Sequence, residues 1–191
     1  MCEVGELVVW SRICSSQQEV DDLYARLRIT PCPHCKEVGN LIKHGFLRGY
    51  DQEHQLNKTV RAARVFCSNR NRATGCGRTF SVWIAHKIKQ LFLCADSLWL
   101  FLSGAVSSGN KLDAFRRLSS GLSDSAPYRI WKRFLNAQAA IRTALAGLCP
   151  PPQIISDCPV QLTLAHLQKD FQEHPLCPIA AFGATLQRFL F

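Results

Sequence analysis

Three observations predict an α+β fold in which a small β-hairpin module precedes an all-α part. Two cysteine pairs bracket short strand-like segments between residues 31 and 90. From residue 91 onward, apolar residues recur with the spacing of helices. A proline-rich stretch, CPPPQ at 149–153, is incompatible with helix or central strand and indicates a linker before a helical tail.

The N-terminal segment, residues 1–30, predicts one strand and one helix. The apolar run LVVW at 7–10 is a candidate strand. Ser16 followed by Glu19 makes a capping box, which predicts a helix over 15–27. Thr30 and Pro31 end this segment. The apolar stripe of the helix consists of Val20, Leu23, Tyr24 and Leu27.

Residues 31–90 predict three strands, at 41–48 (LIKHGFLR), 59–66 (TVRAARVF) and 79–85 (TFSVWIA). The first two are joined by a polar loop, so they are expected to form a hairpin. One cysteine pair precedes this hairpin and the second pair follows it.

Residues 91–149 predict three helices, at 91–106, 110–120 and 125–148. In the third, Ser125 is a candidate cap, and Pro127 falls in the first turn, where a missing N–H costs little. Residues 150–191 predict the linker and two short amphipathic helices. Their apolar positions are Val160, Leu164, Leu167 and Phe171, and then Ile179, Phe182, Leu186 and Phe189 or Leu190.

The cysteine pairs predict a zinc site. Cys32 and Cys35 lie in CPHC, and Cys67 and Cys76 follow about thirty residues later. Two thiolate pairs on tight turns are what a tetrahedral four-cysteine zinc site requires, and one structural zinc ion is expected. The polar segment 68–75 is then an enlarged surface loop whose ends the metal closes. The alternatives are four unrelated buried cysteines, or a ligand set that includes His34, His44 or His54.

Glycine residues on either side of Cys76 support this interpretation. Gly75 and Gly77 leave the backbone free to curl, so that N–H groups can reach a sulfur atom. Pro33, by contrast, stiffens the first turn, because its ring fixes φ.

Positive charge is concentrated in the middle of the chain. The net charge is +9, and residues 31–90 contain eleven basic and three acidic side chains. Such a surplus favours a polyanion partner, most often nucleic acid, and solubility is the alternative explanation. The longest apolar stretch, 91–106, is too short for a membrane span and contains Asp96, so no membrane partner is expected.

Three segments carry a resemblance to a known family. CPHC, LIKHGFLRG and RVFCSNRNRATGCGRTFS resemble the zinc ribbon of insertion-sequence transposase-associated proteins, which place a helix-turn-helix after the ribbon. They are similar, more distantly, to the ribbon of phage activators of the Ogr/Delta type. The resemblance covers 31–85 and departs at the enlarged loop. It implies that Cys32, Cys35, Cys67 and Cys76 bind zinc and that the module binds nucleic acid.

The third helix of the all-α part has two distinct faces. One is apolar and suits packing in a helix-turn-helix bundle: Ile130, Phe134, Ala137, Ile141 and Leu145. The other is polar, with Tyr128 near its start, and is a candidate for the major groove: Arg129, Lys132, Arg133 and Asn136. Phosphate contacts are expected from Arg61, Arg64, Arg70, Arg72 and Arg78. An ordinary solvated face is the alternative for the helix.

No catalytic set emerges from the sequence, so a non-enzymatic protein is expected. Asp96, Asp113, Asp124 and Asp157 stand apart, whereas a metal nuclease needs converging carboxylates. A cysteine–histidine pair among His166, His174, Cys158 and Cys177 stays open. So does a second metal at Cys149, Cys158, His174 and Cys177, although buried cysteines are the default.

The sequence therefore predicts a zinc-dependent protein that binds duplex DNA in the bacterial cytoplasm, at the nucleoid. It would be a transposition accessory or transcriptional regulator of a mobile element, with a transposase, recombinase or polymerase as candidate partner. The C-terminal helices either pack back or pair two protomers. The alternatives are a protein-interaction adaptor and an RNA-binding component, for which Phe46, Tyr50 and Trp83 are the candidate stacking residues.

Overall fold

The computed structural model describes residues 11–52, 54–118 and 120–191. This part of the chain is mixed α+β, with one four-stranded sheet and six α-helices. It divides into two compact units: Met1–Arg48 with Val60–Ile84, described from residue 11 onward, and Gly49–Thr59 with Ala85–Phe191. The predicted α+β class is confirmed. The predicted strand at 7–10 lies outside the described residues.

The sheet has the strand order β1-β4-β3-β2. Its strands are β1 (Ser11–Cys14), β2 (Leu41–Gly49), β3 (Thr59–Cys67) and β4 (Thr79–Ile84). The last three match the prediction to within one residue at every end. The sequence analysis missed β1, which runs parallel to β4 with Ser11 opposite Ser81. Its pairing partner lies seventy residues further along the chain, so the four-residue segment itself contains no pattern that predicts the strand.

The first helix, α1 (Gln17–Ala25), begins as predicted at a capping box. The Glu19 N–H donates to Ser16 Oγ at 3.2 Å, and the Glu19 carboxylate accepts from the Ser15 N–H at 2.7 Å. A 3-10 turn follows at Leu27–Ile29. The apolar face of α1 is buried in the core of the first unit, whose members include Val20, Leu23, Leu27, Leu41, Val65 and Val82.

The second unit contains five helices: α2 (Ala95–Ser108), α3 (Lys111–Arg116), α4 (Ala126–Ala146), α5 (Pro159–Phe171) and α6 (Pro178–Leu186). Helix α2 begins four residues later than predicted because 91–94 form part of a turn. In this turn Lys87 and Cys94 make a β-bridge, and the Ala95 N–H donates to the His86 carbonyl at 2.9 Å. The predicted Ser125 cap makes no side-chain bond to the helix, whereas Pro127 does occupy the first turn of α4.

The C-terminal helices pack back onto their own unit. Val160, Leu164, Leu167 and Phe171 of α5 are buried, as are Ile179 and Phe182 of α6. These helices contact α2 and α4, and Thr163 Oγ1 donates to the buried Gln138 side chain at 3.1 Å. Pairing of two protomers stays a prediction. Within the described residues, no helix is both long and apolar enough to cross a membrane.

A buried ion pair holds the 49–59 segment to the rest of the second unit. Asp51 is 5% exposed and accepts from Lys87 Nζ at 2.6 Å, from Thr59 Oγ1 at 2.7 Å and from the His54 N–H at 2.9 Å. Burial alone would raise the pKa of Asp51, but these donors outweigh it and hold the pKa well below its usual range.

Changing Asp51→Asn should lower the free energy of unfolding by about 3–5 kcal/mol, because the Lys87 ammonium is left without its counterion. Since the folded pKa of Asp51 is depressed, its stabilisation is present above the unfolded value of about 4 and is lost as pH falls further. Denaturant unfolding of wild type and variant at several pH values measures both effects. Asp124→Asn, which breaks the exposed Arg116 pair, is the control and should stay close to wild type.

Candidate metal centre and basic surfaces

The sulfur atoms of Cys32, Cys35, Cys67 and Cys76 converge in the first unit. All four lie within 4.8 Å of one another. The Cys32–Cys76 and Cys35–Cys67 sulfur pairs are 3.8 and 3.7 Å apart. Tetrahedral zinc with Zn–S bonds of about 2.3 Å keeps its sulfur ligands about 3.8 Å apart. The spacing therefore fits a tetrahedral metal ion, and disulfide bonds, at about 2 Å, do not fit it.

The first pair is positioned by a tight turn directly before β2. The Cys32 N–H donates to the Glu37 carbonyl and the Lys36 N–H to the Cys32 carbonyl, each at 2.9 Å. The His34 N–H points at Cys32 Sγ, 3.4 Å away. Lys36 adopts a left-handed φ of 66° to close the turn. The turn brings both thiols of CPHC to one side.

The second pair is positioned by a reversal at the end of β3. The Gly77 N–H donates to the Cys67 carbonyl at 3.0 Å, and the Cys76 N–H points at Cys67 Sγ at 3.3 Å. A Cβ on Gly75 would lie 2.2 Å from the Ser68 carbonyl oxygen and 2.7 Å from Cys67 Sγ. The sequence predicts that these glycines let a backbone N–H reach a sulfur atom, and the Cys76 N–H reaches Cys67 Sγ.

Burial shapes the protonation of these thiols. It raises the pKa of Cys67 to about 12 and also raises that of Cys76. The Glu37 N–H lowers the pKa of Cys35 to about 7. Gathered thiols of high pKa stay protonated unless a cation displaces the protons. An all-sulfur tetrahedral donor set suits zinc or iron, so the cluster can hold a metal ion and its geometry does not fix which.

Histidine does not contribute to this cluster in the described part of the chain. The His44 ring packs against Phe66 with centroids 5.2 Å apart. In the second unit, His54 is bonded to Asp51. The rival ligand sets with His34, His44 or His54 are therefore not assembled.

The expected phosphate-contacting arginines fall into two groups. Arg70, Arg72 and Arg78 are exposed, the first two on the loop between Cys67 and Cys76. Arg61, by contrast, is buried to 9% exposure, and Arg64 is half-buried, 3.4 Å from Thr79 Oγ1. Arg61 and Arg64 are three positions apart on β3, so their side chains point to opposite faces of the sheet, and the sequence does not tell which face is buried.

The polar face of α4 is mostly open to solvent. Tyr128, Arg129, Lys132 and Asn136 are exposed. Arg133 differs, because it donates to the Gln90 carbonyl at 3.1 Å and its guanidinium lies 4.8 Å from the Phe191 ring centre. On the buried face, Ile130, Phe134, Ile141 and Leu145 are in the core as expected, while Ala137 is half-buried. The connection 117–125 between α3 and α4 is longer than the three- to four-residue turn of a typical helix-turn-helix.

The late cysteines are arranged differently from the second metal set considered above. Cys158 and Cys177 precede the first residues of α5 and α6. Cys149 lies beside His166 and Asp170, and a separate cluster joins His86, Cys94 and Asp96. Sequence reasoning missed both clusters. Only the i, i+4 spacing of His166 and Asp170 on α5 could have signalled one of them.

Comparison with known proteins gives no relative on which to base a function: no family model, curated protein or solved structure matches this chain. Function is therefore inferred from its own residues.

Replacing Cys67→Ser should abolish stoichiometric zinc binding and unfold the first unit, because one corner of the tetrahedron is lost. Cys14→Ser is the matched control: Cys14 is fully buried in the same core but does not belong to the cluster. Metal content per chain and far-ultraviolet circular dichroism with and without chelator distinguish the two. Equal metal content in both variants would rule out the proposed site.

Changing Gly75→Ala should weaken zinc binding about tenfold or more. The added methyl would clash with both the Ser68 carbonyl and the Cys67 sulfur, and the sulfur would be displaced from the cluster. Competition with a chromogenic chelator measures the affinity. Arg72→Ala, an exposed change in the same loop, should leave the zinc affinity unchanged. An unchanged affinity for Gly75→Ala would contradict the close approach described above.

Proposed function

We propose that this chain is a zinc-dependent protein that binds duplex DNA without catalysing a reaction on it. The observation that carries the proposal is the four-thiol cluster at tetrahedral spacing, with exposed Arg70 and Arg72 on the loop it closes. On this proposal the first unit is a zinc ribbon, in which zinc is structural and adds to the small apolar core of the unit.

The loop arginines supply the charge that a phosphate backbone requires. Arg70, Arg72 and Arg78 are exposed, and no acidic residue interrupts the loop 68–75. Each arginine that neutralises a phosphate releases condensed counterions, which gives affinity without sequence preference. This group would hold the protein on DNA and set its orientation.

Helix α4 is the candidate for contact with base edges. We propose that α2, α3 and α4 act as a helix-turn-helix variant with a lengthened turn. Arg129 suits guanine, Asn136 suits adenine, and Lys132 suits a phosphate. Because Arg133 is engaged with Gln90 and Phe191, it is left out of this set.

The resemblance of 31–85 to ribbons of insertion-sequence proteins supports a role in a mobile element. The chain would act there as a transposition accessory or transcriptional regulator, at the bacterial nucleoid. A transposase, recombinase or polymerase would be its protein partner.

A protein-interaction adaptor is the second candidate, and the edge strand β2 favours it. Ile42 and Phe46 on this strand are 46% and 55% exposed. An RNA-binding role has less support. Trp83 is buried and donates to Ser81 Oγ, which leaves Phe46 and Tyr50 as the exposed members of the expected stacking set.

The zinc-loaded chain should bind duplex DNA more tightly than duplex RNA or single strands, with log K falling by about 0.9 per log unit of salt for each phosphate contact. Replacing Arg70, Arg72 and Arg78 together by alanine should reduce the slope by about 2.7. Replacing Arg129 and Lys132 should weaken binding and abolish the preference for a selected sequence. Fluorescence anisotropy at several salt concentrations gives both quantities.

Arg142→Ala is the matched control for α4, because Arg142 is an exposed cation on a different face of the same helix. It should leave affinity and slope unchanged. If all nucleic acids bind alike and neither multiple variant differs from Arg142→Ala, DNA binding through these surfaces is excluded and the adaptor takes its place.

A further inference from the structure

A cysteine, a histidine and an aspartate meet at the N-terminus of α2. The side chains of His86, Cys94 and Asp96 lie within 4.8 Å of one another. His86 Nδ1 is 2.8 Å from Asp96 Oδ2, and the Cys94 sulfur is the third atom of the group. Nitrogen and oxygen ligands of one zinc ion would stand about 3.4 Å apart. The His86–Asp96 separation is therefore that of a hydrogen bond.

The turn before α2 creates this arrangement. The Lys87–Cys94 bridge and the bond from the Ala95 N–H to the His86 carbonyl fold the chain back on itself. His86 and Cys94 thereby become neighbours although eight positions separate them. Cys94 is the N-cap residue of a fourteen-residue helix and its side chain makes no capping bond, so the sulfur is free to bond elsewhere.

The surroundings of Cys94 favour a thiolate. Burial would raise the pKa of this half-buried thiol, but bonds from His86 and Ser97 outweigh it and lower the pKa. Ser97 Oγ is 3.3 Å from the sulfur. The pKa of His86 is raised, first by its bond to Cys94 and then by Asp96. Both shifts favour a thiolate–imidazolium pair, oriented by the carboxylate, near the positive end of a helix.

Three other groups lie around the pair. Cys177, at the start of α6, contacts Asp96, and burial raises the pKa of Cys177 to about 11, so it stays a neutral thiol. Gln52 Oε1, 3.9 Å from Cys94 Sγ, accepts from the thiol and opposes its ionisation, but this contact is longer than the 3.3 Å contact with Ser97 Oγ. The ammonium of Lys87 is paired with Asp51.

A second cysteine of the same unit provides an internal contrast. Cys149 is also half-buried and has His166 and Asp170 beside it. There the thiol bonds directly to the carboxylate of Asp170, which raises the pKa of Cys149. The His166 ring instead lies 3.1 Å from the Cys149 carbonyl oxygen. The same three residue types thus favour a thiolate at Cys94 and a thiol at Cys149.

We propose that Cys94 is a nucleophilic modification site that reacts with low-molecular-weight disulfides, with His86 and Asp96 as its positioning residues. The Cys94 thiolate attacks one sulfur of the disulfide, and the new S–S bond forms as the old one breaks. The other sulfur leaves as a thiolate with the bonding electron pair and takes a proton from the His86 imidazolium. Cys94 is oxidised to the mixed disulfide and the small disulfide is reduced. This site is independent of DNA binding.

The first test uses the zinc-loaded wild-type chain with iodoacetamide, and mass spectrometry gives a rate for each cysteine between about pH 6 and 9. An ordinary cysteine is only about 3% thiolate at pH 7, and the lower nucleophilicity of acidic thiolates offsets part of the gain. Cys94 should therefore react about tenfold faster than Cys149 near pH 7. Its rate should level off at a lower pH than that of Cys149, which should still rise nearly tenfold per pH unit. Glutathione disulfide should then form its mixed disulfide first at Cys94.

Variants show whether His86 and Asp96 promote the reaction of Cys94, or whether Cys94 reacts only because it is exposed. His86→Gln should slow Cys94 about tenfold near pH 7 and restore a steep pH dependence, and Asp96→Asn should do so more weakly. Cys177→Ser is the control and should leave the Cys94 profile unchanged. The proposal fails if Cys94 and Cys149 share one rate and one pH profile in wild type, or if His86→Gln alters neither.

Discussion

The first unit depends on the convergence of four sulfur atoms. Cys32 and Cys67 belong to the same buried core as Val20, Leu41 and Val82, so the four-thiol cluster and the apolar core are continuous. The four thiols come from two short turns on either side of the β2–β3 pair, and a shared ion would close that stretch of chain at both ends. Because burial raises the pKa of Cys67 and Cys76, these thiols keep their protons until a cation replaces them.

This constraint accounts for the odd composition between Cys67 and Cys76. A segment whose ends are fixed by a metal needs no apolar side chains of its own, so it can be polar and basic. Packing dictates Gly75, because the Ser68 carbonyl approaches it closely, and the left-handed φ of Gly77, just beyond Cys76, favours glycine there. The remaining positions are open to selection for binding, and exposed arginines occupy two of them.

Cysteine takes three chemical roles in this chain, and the neighbouring groups decide which. Four thiols, two pairs of which are 3.8 and 3.7 Å apart, can hold a metal ion. A thiol beside a histidine and a helix N-terminus, Cys94, favours the thiolate. A thiol bonded directly to a carboxylate, Cys149, favours the protonated form. Residue type and sequence spacing distinguish the four-thiol cluster from Cys94 and Cys149, but they do not tell which of Cys94 and Cys149 favours the thiolate.

The sequence by itself determined the elements governed by local rules. The capping box of α1, three of the four strands and the helices of the second unit follow from periodicity and turn residues, and the four-cysteine cluster follows from knuckle spacing. Tertiary structure decided what depends on distant partners. The parallel pairing of β1, the burial of Arg61, the engagement of Arg133 with Gln90 and Phe191, and the meeting of His86 with Cys94 are set by which elements pack together. Such contacts join residues that are far apart along the chain or not related by a helix or strand period, so no local pattern predicts them.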